Sequence, residues 1–581
     1  FWIPRALAED TSSLLQEFGY RDVILHSELH EKQFSDTHAL LMELSENSLL
    51  KPFRQMSGLP APGNDLGDWY DYVPGKLRDD GVGFAPSAPF GQWMSALARM
   101  YAVSGDQATR EKMSRLIRLY AKTISPEYYT NNRFPAYCYD KLVCGLMDAH
   151  RLAGDPDAFA ILDQTTKAAL PGLPGHAIEH GVPWRGGEKD DELTWDESYT
   201  ISENLFLAYQ YGAGKQYRDL GAQYLDDIYY DPLARGESNL DGRHAYSHVN
   251  SLSSAMQAYL TLGSDKHLRA AKNGFDFLEQ QSFATGGWGP DETLRAPGSD
   301  DVFESLTKTH HSFETPCGSY AHFKLTRYLL RITRQARYGD SMERVMYNTV
   351  LGAKPLLADG NNFYYSDYNF KGSKFYHDAR WACCSGTLPQ VVADYRLNTY
   401  FRNRGDIYVN LYIPSTLNWQ QDGRKFTLTQ SGNYPFEGNV RFELTASKKS
   451  EFTINLRIPA WADGATVAVN GKRVTDGIVA GKFATIRRKW KSGDQFELEL
   501  PLRTRVEPIN NRHPETVALL SGPLVLFAIG TTPASLTKAE LLSAKKVGPQ
   551  KWQAKTDTGN IDLLPFPAIA DETYTTYLKI G

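Results

Sequence analysis

Two adjacent cysteines, Cys383 and Cys384, stand between Trp381 and Pro389 just before an expected helix, and a third, Cys317, follows Glu314 in the run Phe313 to Gly318. Thiolates and carboxylates are zinc ligands, and three sulfurs with one carboxylate oxygen make the four donors that a tetrahedral ion takes. Glu314, Cys317, Cys383 and Cys384 would supply that set if folding gathers them. No C-x-x-C pair is present, so spacing alone leaves a second reading open, in which the vicinal pair is simply two small buried hydrophobes. Five cysteines in 581 residues, an odd number, argue for free thiols or metal ligands rather than a disulfide framework.

The elements that must position these residues are helical over roughly residues 30 to 400. A phrase recurs in which an aromatic residue or His is followed by small or apolar residues and then Gly: Tyr101 to Gly105, His150 to Gly154, Tyr209 to Gly214 and Tyr259 to Gly263. Each Gly suits the left-handed position that closes a helix, and the Asp or Ser beyond it can cap the next one. Joints about 50 to 60 residues apart match helical hairpins arranged in a ring, an (α/α)6 barrel. Long loops rich in Gly, Pro, Trp and acids, Leu59 to Pro89, Pro171 to Trp195 and Thr285 to Asp301, are expected to wall a pocket at one end. After residue 400 the pattern turns to period-two alternation broken by turns, which reads as a β-sandwich. The expected fold class is therefore α+β multidomain: a helical-barrel catalytic domain over 1–400, a β-sandwich over 401–505 and a small β module over 506–581.

Composition narrows the partners. A charge of −5 and the lack of any Lys/Arg block leave no electrostatic footprint for nucleic acid or an anionic membrane. A mean hydropathy of −0.44 and no long apolar run argue against a membrane span. With 33 Tyr and 11 Trp, the chain has many rings that can stack on sugars, although protein cores use the same residues. The chain opens at Phe1 without a charged-then-apolar leader, so a cytoplasmic and a periplasmic or secreted location both stay open. A homodimer also stays open.

The chain resembles the β-L-arabinofuranosidases of glycoside hydrolase family 127 and their relatives in family 146. The likeness rests on Tyr338 to Leu351, on Leu456-Arg457-Ile458-Pro459-Ala460-Trp461 followed by Val469-Asn470-Gly471, on Pro52 to Arg54 with Gly58 to Pro60, and on Ser95 to Gly105. It covers most of residues 30 to 530. It implies a retaining exo-glycosidase that removes a terminal furanose-type sugar, β-L-arabinofuranose by default, from plant-type glycans or glycoconjugates. It also implies a zinc ion held by Glu314, Cys317, Cys383 and Cys384, with Cys383 as the nucleophile. The acid/base is expected at the end of Gly286-Gly287-Trp288-Gly289-Pro290-Asp291-Glu292, which makes Glu292 the choice over Asp291 and Glu304. His248 matches a family histidine that touches the sugar.

Some positions depart from the family pattern. Two residues separate Glu314 from Cys317 where the family has one, so His310, His311 or water could take the fourth ligand place. Asp140 or Lys141, Gln92 beside Trp93, and the neighbourhood of Glu203 stand where the family places sugar-binding histidines, which leaves the sugar's identity open. Two alternatives are set beside this reading: a toroid hydrolase or polysaccharide lyase that works without a metal, and a catalytically inactive glycan-binding member.

Overall fold

A computed structural model describes residues 14–72, 85–130, 132, 134–180, 196–530 and 536–581. Two of the long loops expected to wall a pocket, Leu59 to Pro89 and Pro171 to Trp195, run partly through 73–84 and 181–195, outside the described residues.

Six helices, Ser87–Ser104, Pro135–Ala153, Ser202–Gln210, Ala245–Leu262, Thr315–Thr333 and Cys383–Thr399, each pack on the next, and the last returns to the first. They close a ring. Outer helices back it: Gln107–Tyr120, Ala158–Ala169, Lys215–Gln223, Asp265–Glu279 and Ala336–Asn348, with Glu28–Glu43 lying on Cys383–Thr399. Patterning explains the two layers. Every residue of Cys383–Thr399 is buried, as a helix surrounded by other helices requires, whereas Asp265–Glu279 buries one stripe of His267, Ala270, Ala271, Gly274, Phe275 and Leu278.

Three of the four joint glycines take the expected left-handed form: Gly105 (φ 73°), Gly154 (φ 62°) and Gly263 (φ 71°). The fourth differs. Helix Ser202–Gln210 stops at Tyr211, and Gly214, at φ 124° and ψ 161°, instead precedes the next helix. Helices Ser87–Ser104 and Pro135–Ala153 meet backbone to backbone, because a Cβ on Gly145 would lie 2.4 Å from the Gly91 carbonyl oxygen.

Beyond the ring, a five-stranded sheet runs Gln16–Glu17, Tyr400–Asn403, Asp406–Val409, Ser450–Ile458, Lys482–Trp490. A seven-stranded sheet runs Lys472–Arg473, Thr466–Val469, Asp494–Glu499, Asn439–Ala446, Arg424–Gly432, Ser415–Gln421, Val23–Leu25. Strict alternation of buried and exposed residues in Asp494–Glu499 gives the seven-stranded sheet one inner face. Phe452 meets Phe426 at 5.4 Å and Trp490 meets Phe496 at 5.5 Å across the two sheets. The short strands Gln16–Glu17 and Val23–Leu25 come from ahead of the barrel, so the amino-terminal segment ties the two domains together.

A third sheet, built from Thr504–Pro508 through Leu578–Lys579, follows the sandwich. It braces the loops above the ring: the Ala284 amide donates to the Tyr577 hydroxyl at 2.7 Å, and Lys374 Nζ donates to the carbonyls of Phe566 and Ile569 at 2.8 and 2.7 Å.

Candidate active site

The three cysteines meet because two inner helices begin side by side. Cys383 is the first residue of Cys383–Thr399, and Cys317 is the third residue of Thr315–Thr333, whose N-cap is Glu314. Exposed amides and the positive end of the helix dipole favour thiolate there. Glu314 is also fixed by a two-residue ladder in which it pairs with Tyr365.

Cys384 Sγ lies 3.4 Å from Cys317 Sγ and 3.9 Å from Glu314 Oε1, and Cys383 Sγ lies 3.3 Å from that same oxygen. All four donors are buried and within 4.8 Å of one another. A tetrahedral site with Zn–S near 2.3 Å and Zn–O near 2.1 Å has ligand-to-ligand edges of about 3.6 to 3.8 Å. The set therefore fits a single ion. The buried Glu314 Oε2 has no hydrogen-bond partner, which points the same way. Glu314 joins the sulfurs despite the altered spacing. His310 instead pairs with Asp367 at 2.8 Å, and His311 stacks on Tyr365 at 4.1 Å.

The protons are unevenly placed. Burial works to raise the Cys383 thiol, but hydrogen bonds from Cys317, Cys384 and Tyr364 hold it well below its usual value. Burial, reinforced by the neighbouring sulfurs, pushes Cys317 well up. Among the three sulfurs the thiolate form is favoured most at Cys383.

Glu292 forms a wall beside Glu314. The preceding loop crosses the start of Ala245–Leu262 so closely that a Cβ on Gly289 (φ 71°) would meet Ala245 Cβ at 2.3 Å. Asp291 and Glu292 are both left-handed (φ 54°), a strained form for residues with side chains. The loop holds them there: the Asp291 amide donates to the His311 carbonyl at 2.8 Å, and Thr309 Oγ1 donates to Asp291 Oδ1 at 2.5 Å. Glu292 Oε2 lies 3.0 Å from His244 Nε2, and its other oxygen accepts from the Tyr365 hydroxyl. Burial works to raise the Glu292 carboxyl, but the hydrogen bond and charge of His244 and the Tyr365 hydroxyl outweigh it and hold it at about 2. His244, Glu292 and Glu314 each place a polar atom within 4.8 Å of the others, so this wall adjoins the cysteine cluster.

The other candidates are dispersed. The buried Gln92 amide has no partner on either atom and lies against Gly386, where a Cβ would meet its oxygen at 2.0 Å. Asp140 is already engaged, by Lys141 and by Asn204, at 2.7 Å each. Trp93 is packed away, stacked on Tyr70 and donating to the Ser385 carbonyl at 2.9 Å. His248 lies one turn beyond His244 and spends its ring nitrogens on Glu179 (2.9 Å) and the His244 carbonyl (2.8 Å). Glu203 pairs with Lys324 and lines a separate cavity at the far end of the ring.

Sequence reading missed His244, Tyr364, Tyr365 and Glu197. Glu197 lies 3.9 Å from His244 and keeps one buried oxygen without a partner, and burial raises its carboxyl to about 7. A signal existed only for His244, which stands one helical turn before the chosen His248.

A closed helical ring followed by a β-sandwich, with a carboxylate facing a thiol cluster at one end of the ring, defines a toroid carbohydrate-active enzyme. The β-L-arabinofuranosidase GH127 catalytic-domain model matches residues 22–396, and the GH127 middle-domain model matches 406–502. The chain belongs to the GH127 family and is a glycoside hydrolase, whose substrate is carbohydrate.

The fold is similar to that of a GH127 β-L-arabinofuranosidase from Geobacillus stearothermophilus T6, at 18% identity over 96% of this chain and 100% of that one, with a TM-score of 0.72. It is also similar to a GH127 β-arabinofuranosidase at 17% identity, over 98% of each chain, with a TM-score of 0.74. No curated protein matches the sequence. Among the described residues, no helix is long and apolar enough to cross a membrane.

Proposed function

We propose that the chain is a retaining exo-glycosidase that releases a terminal β-L-arabinofuranose or closely related furanose, with Cys383 as nucleophile and Glu292 as acid/base. The observation that carries this reading is the thiolate-prone Cys383, 3.3 Å from Glu314, beside a wall formed by Glu292 and His244. Zinc bound by Glu314, Cys317, Cys383 and Cys384 would keep the thiols deprotonated and fixed in place.

Cys383 Sγ attacks the anomeric carbon while Glu292, supplied with a proton by His244, protonates the departing glycosidic oxygen. A thioglycosyl bond forms as the glycosidic bond breaks. Glu292 then takes a proton from water, whose oxygen displaces the sulfur, and two inversions give net retention. Gln92 and Glu197 offer unpartnered polar atoms to the sugar hydroxyls.

The test is metal analysis with a screen of aryl β-L-arabinofuranosides and other aryl furanosides, read by NMR for the first-formed anomer. The reading expects about one zinc per chain and retention. A metal-free active chain or an inverted product would overturn it.

A further inference from the structure

A cavity of about 1390 Å³ opens at the end of the ring remote from the cysteines. Its wall draws on the later parts of the inner helices, including Arg99, Arg151, Arg327 and Asp394, and residues 14–22 form one side. Asp394 stands eleven residues beyond Cys383 on the same helix, about 16 Å away at 1.5 Å per residue. The two sites are separate.

The lining carries ten arginine and lysine side chains against five carboxylates, in a chain whose formal charge is −5. Part of that surplus answers the helices themselves. Six carboxyl-terminal ends contribute roughly half a negative charge each, which still leaves the cavity cationic.

The carboxylates are spent on the deeper cations. Asp394 pairs with Arg99 at 2.9 Å and Arg327 at 3.3 Å, Asp148 with Arg99 at 3.0 Å, Glu17 with Arg327 at 3.3 Å and Arg331 at 3.0 Å, and Glu203 with Lys324. Among the described residues four of the ten make no ion pair; Arg21 and Arg110 donate to the backbone carbonyls of Tyr101 and Ala153 at 3.2 and 2.9 Å, which leaves Arg151 and Arg402. Arg151 lies 4.9 Å over the Tyr211 ring and uses one donor on its hydroxyl at 3.1 Å. Arg402 lies 5.2 Å over Phe18, and its buried Nε has no hydrogen-bond partner. Planar guanidinium groups braced on aromatic rings, with donors to spare, suit the flat oxygen pairs of carboxylate and phosphate.

We propose that this cavity binds a compact anion carrying carboxylate or phosphate groups, with Arg151 and Arg402 as its charge partners. The full chain is titrated calorimetrically with inorganic phosphate and with succinate, each against sodium chloride at matched ionic strength. Saturable binding of one or both anions is expected, and which one binds identifies the group recognised. Arg151→Gln and Arg402→Gln should each weaken binding about tenfold or more, with Arg402→Lys intermediate because it keeps the charge and loses the planar fork. No saturable binding beyond the chloride control, or undiminished binding by folded Arg151→Gln and Arg402→Gln, would overturn the proposal. If a variant does not fold, the titration of the parent chain decides.

Discussion

His244 Nε2 stands 3.0 Å from Glu292 Oε2, and this contact joins the start of an inner helix to the left-handed tip of a glycine-rich loop. The carboxylate is thus aimed by a partner 48 residues away. Glu292→Gln should lower turnover by about 10²- to 10⁴-fold on substrates with a sugar leaving group, and by much less in the first step on activated aryl furanosides, which need no proton to depart. His244→Asn should lower kcat more than it raises KM, because it disturbs the acid/base rather than the grip on the sugar. Steady-state kinetics on the two substrate classes check both expectations.

The proposed zinc cluster should couple to stability. A ligand that binds only the folded chain and is present at a thousand times its Kd contributes about 4 kcal/mol. Stripping metal with a strong chelator is expected to lower the thermal midpoint, and added zinc should restore it. Cys384→Ala should lose the metal, whereas Cys138→Ala, whose buried sulfur sits by Tyr128 outside the cluster, should keep it. Elemental analysis of the variants and thermal melts of the parent chain read this directly.

Acid should weaken the fold through buried neutral histidines. Burial, aided by the charge of Arg396, holds His30 at about 3, while the unfolded residue titrates near 6.5. Above the unfolded value His30 is neutral in both states. As pH falls from about 6.5 to about 3 only the unfolded chain takes up the proton, so stability is lost at up to about 1.4 kcal/mol per pH unit. His30→Gln should show a shallower slope of stability against pH than the parent chain across that window, measured by chemical denaturation. Equal slopes would rule out this role for His30.

Two glycines should differ in cost for different reasons. A Cβ on Gly145 would sit 2.4 Å from the Gly91 carbonyl oxygen and 3.1 Å from Met94 Cβ, so Gly145→Ala must push two inner helices apart. About 1 to 3 kcal/mol is expected. A Cβ on Gly154 would meet nothing within 4 Å, and Gly154→Ala pays only for its left-handed backbone, about 1 kcal/mol. Denaturant titration of the two variants tests the order.

The ring was legible in sequence because its helix joints carry Gly where a left-handed turn is required, and the sandwich because its strands alternate. Gly214 shows the limit: the same phrase stood there, but the shorter inner helix ended before it. Of the site, the cysteines and Glu292 came within reach only through the family resemblance, since the spacing of the cysteines alone left a buried apolar pair equally open. Tyr364, Tyr365 and Glu197 did not, since their roles arise from contacts across long stretches of chain, such as the Glu314–Tyr365 ladder pair. Glu203 was expected at the sugar, but with its ion-pair partner Lys324 it lines the cavity at the other end of the ring, and Trp93 stays beside the cysteine helix but is buried against Tyr70.

The nucleophile itself can be weighed. Glu292→Gln incubated with an activated aryl β-L-arabinofuranoside should accumulate a glycosyl-enzyme, because loss of the residue that activates water slows release more than attack. Intact-mass and peptide-mapping spectrometry should then find one pentosyl group on the peptide that carries Cys383, and none when Cys383→Ala is combined with Glu292→Gln. A pentosyl group on a carboxylate side chain, or the same adduct in the double variant, would contradict a sulfur nucleophile.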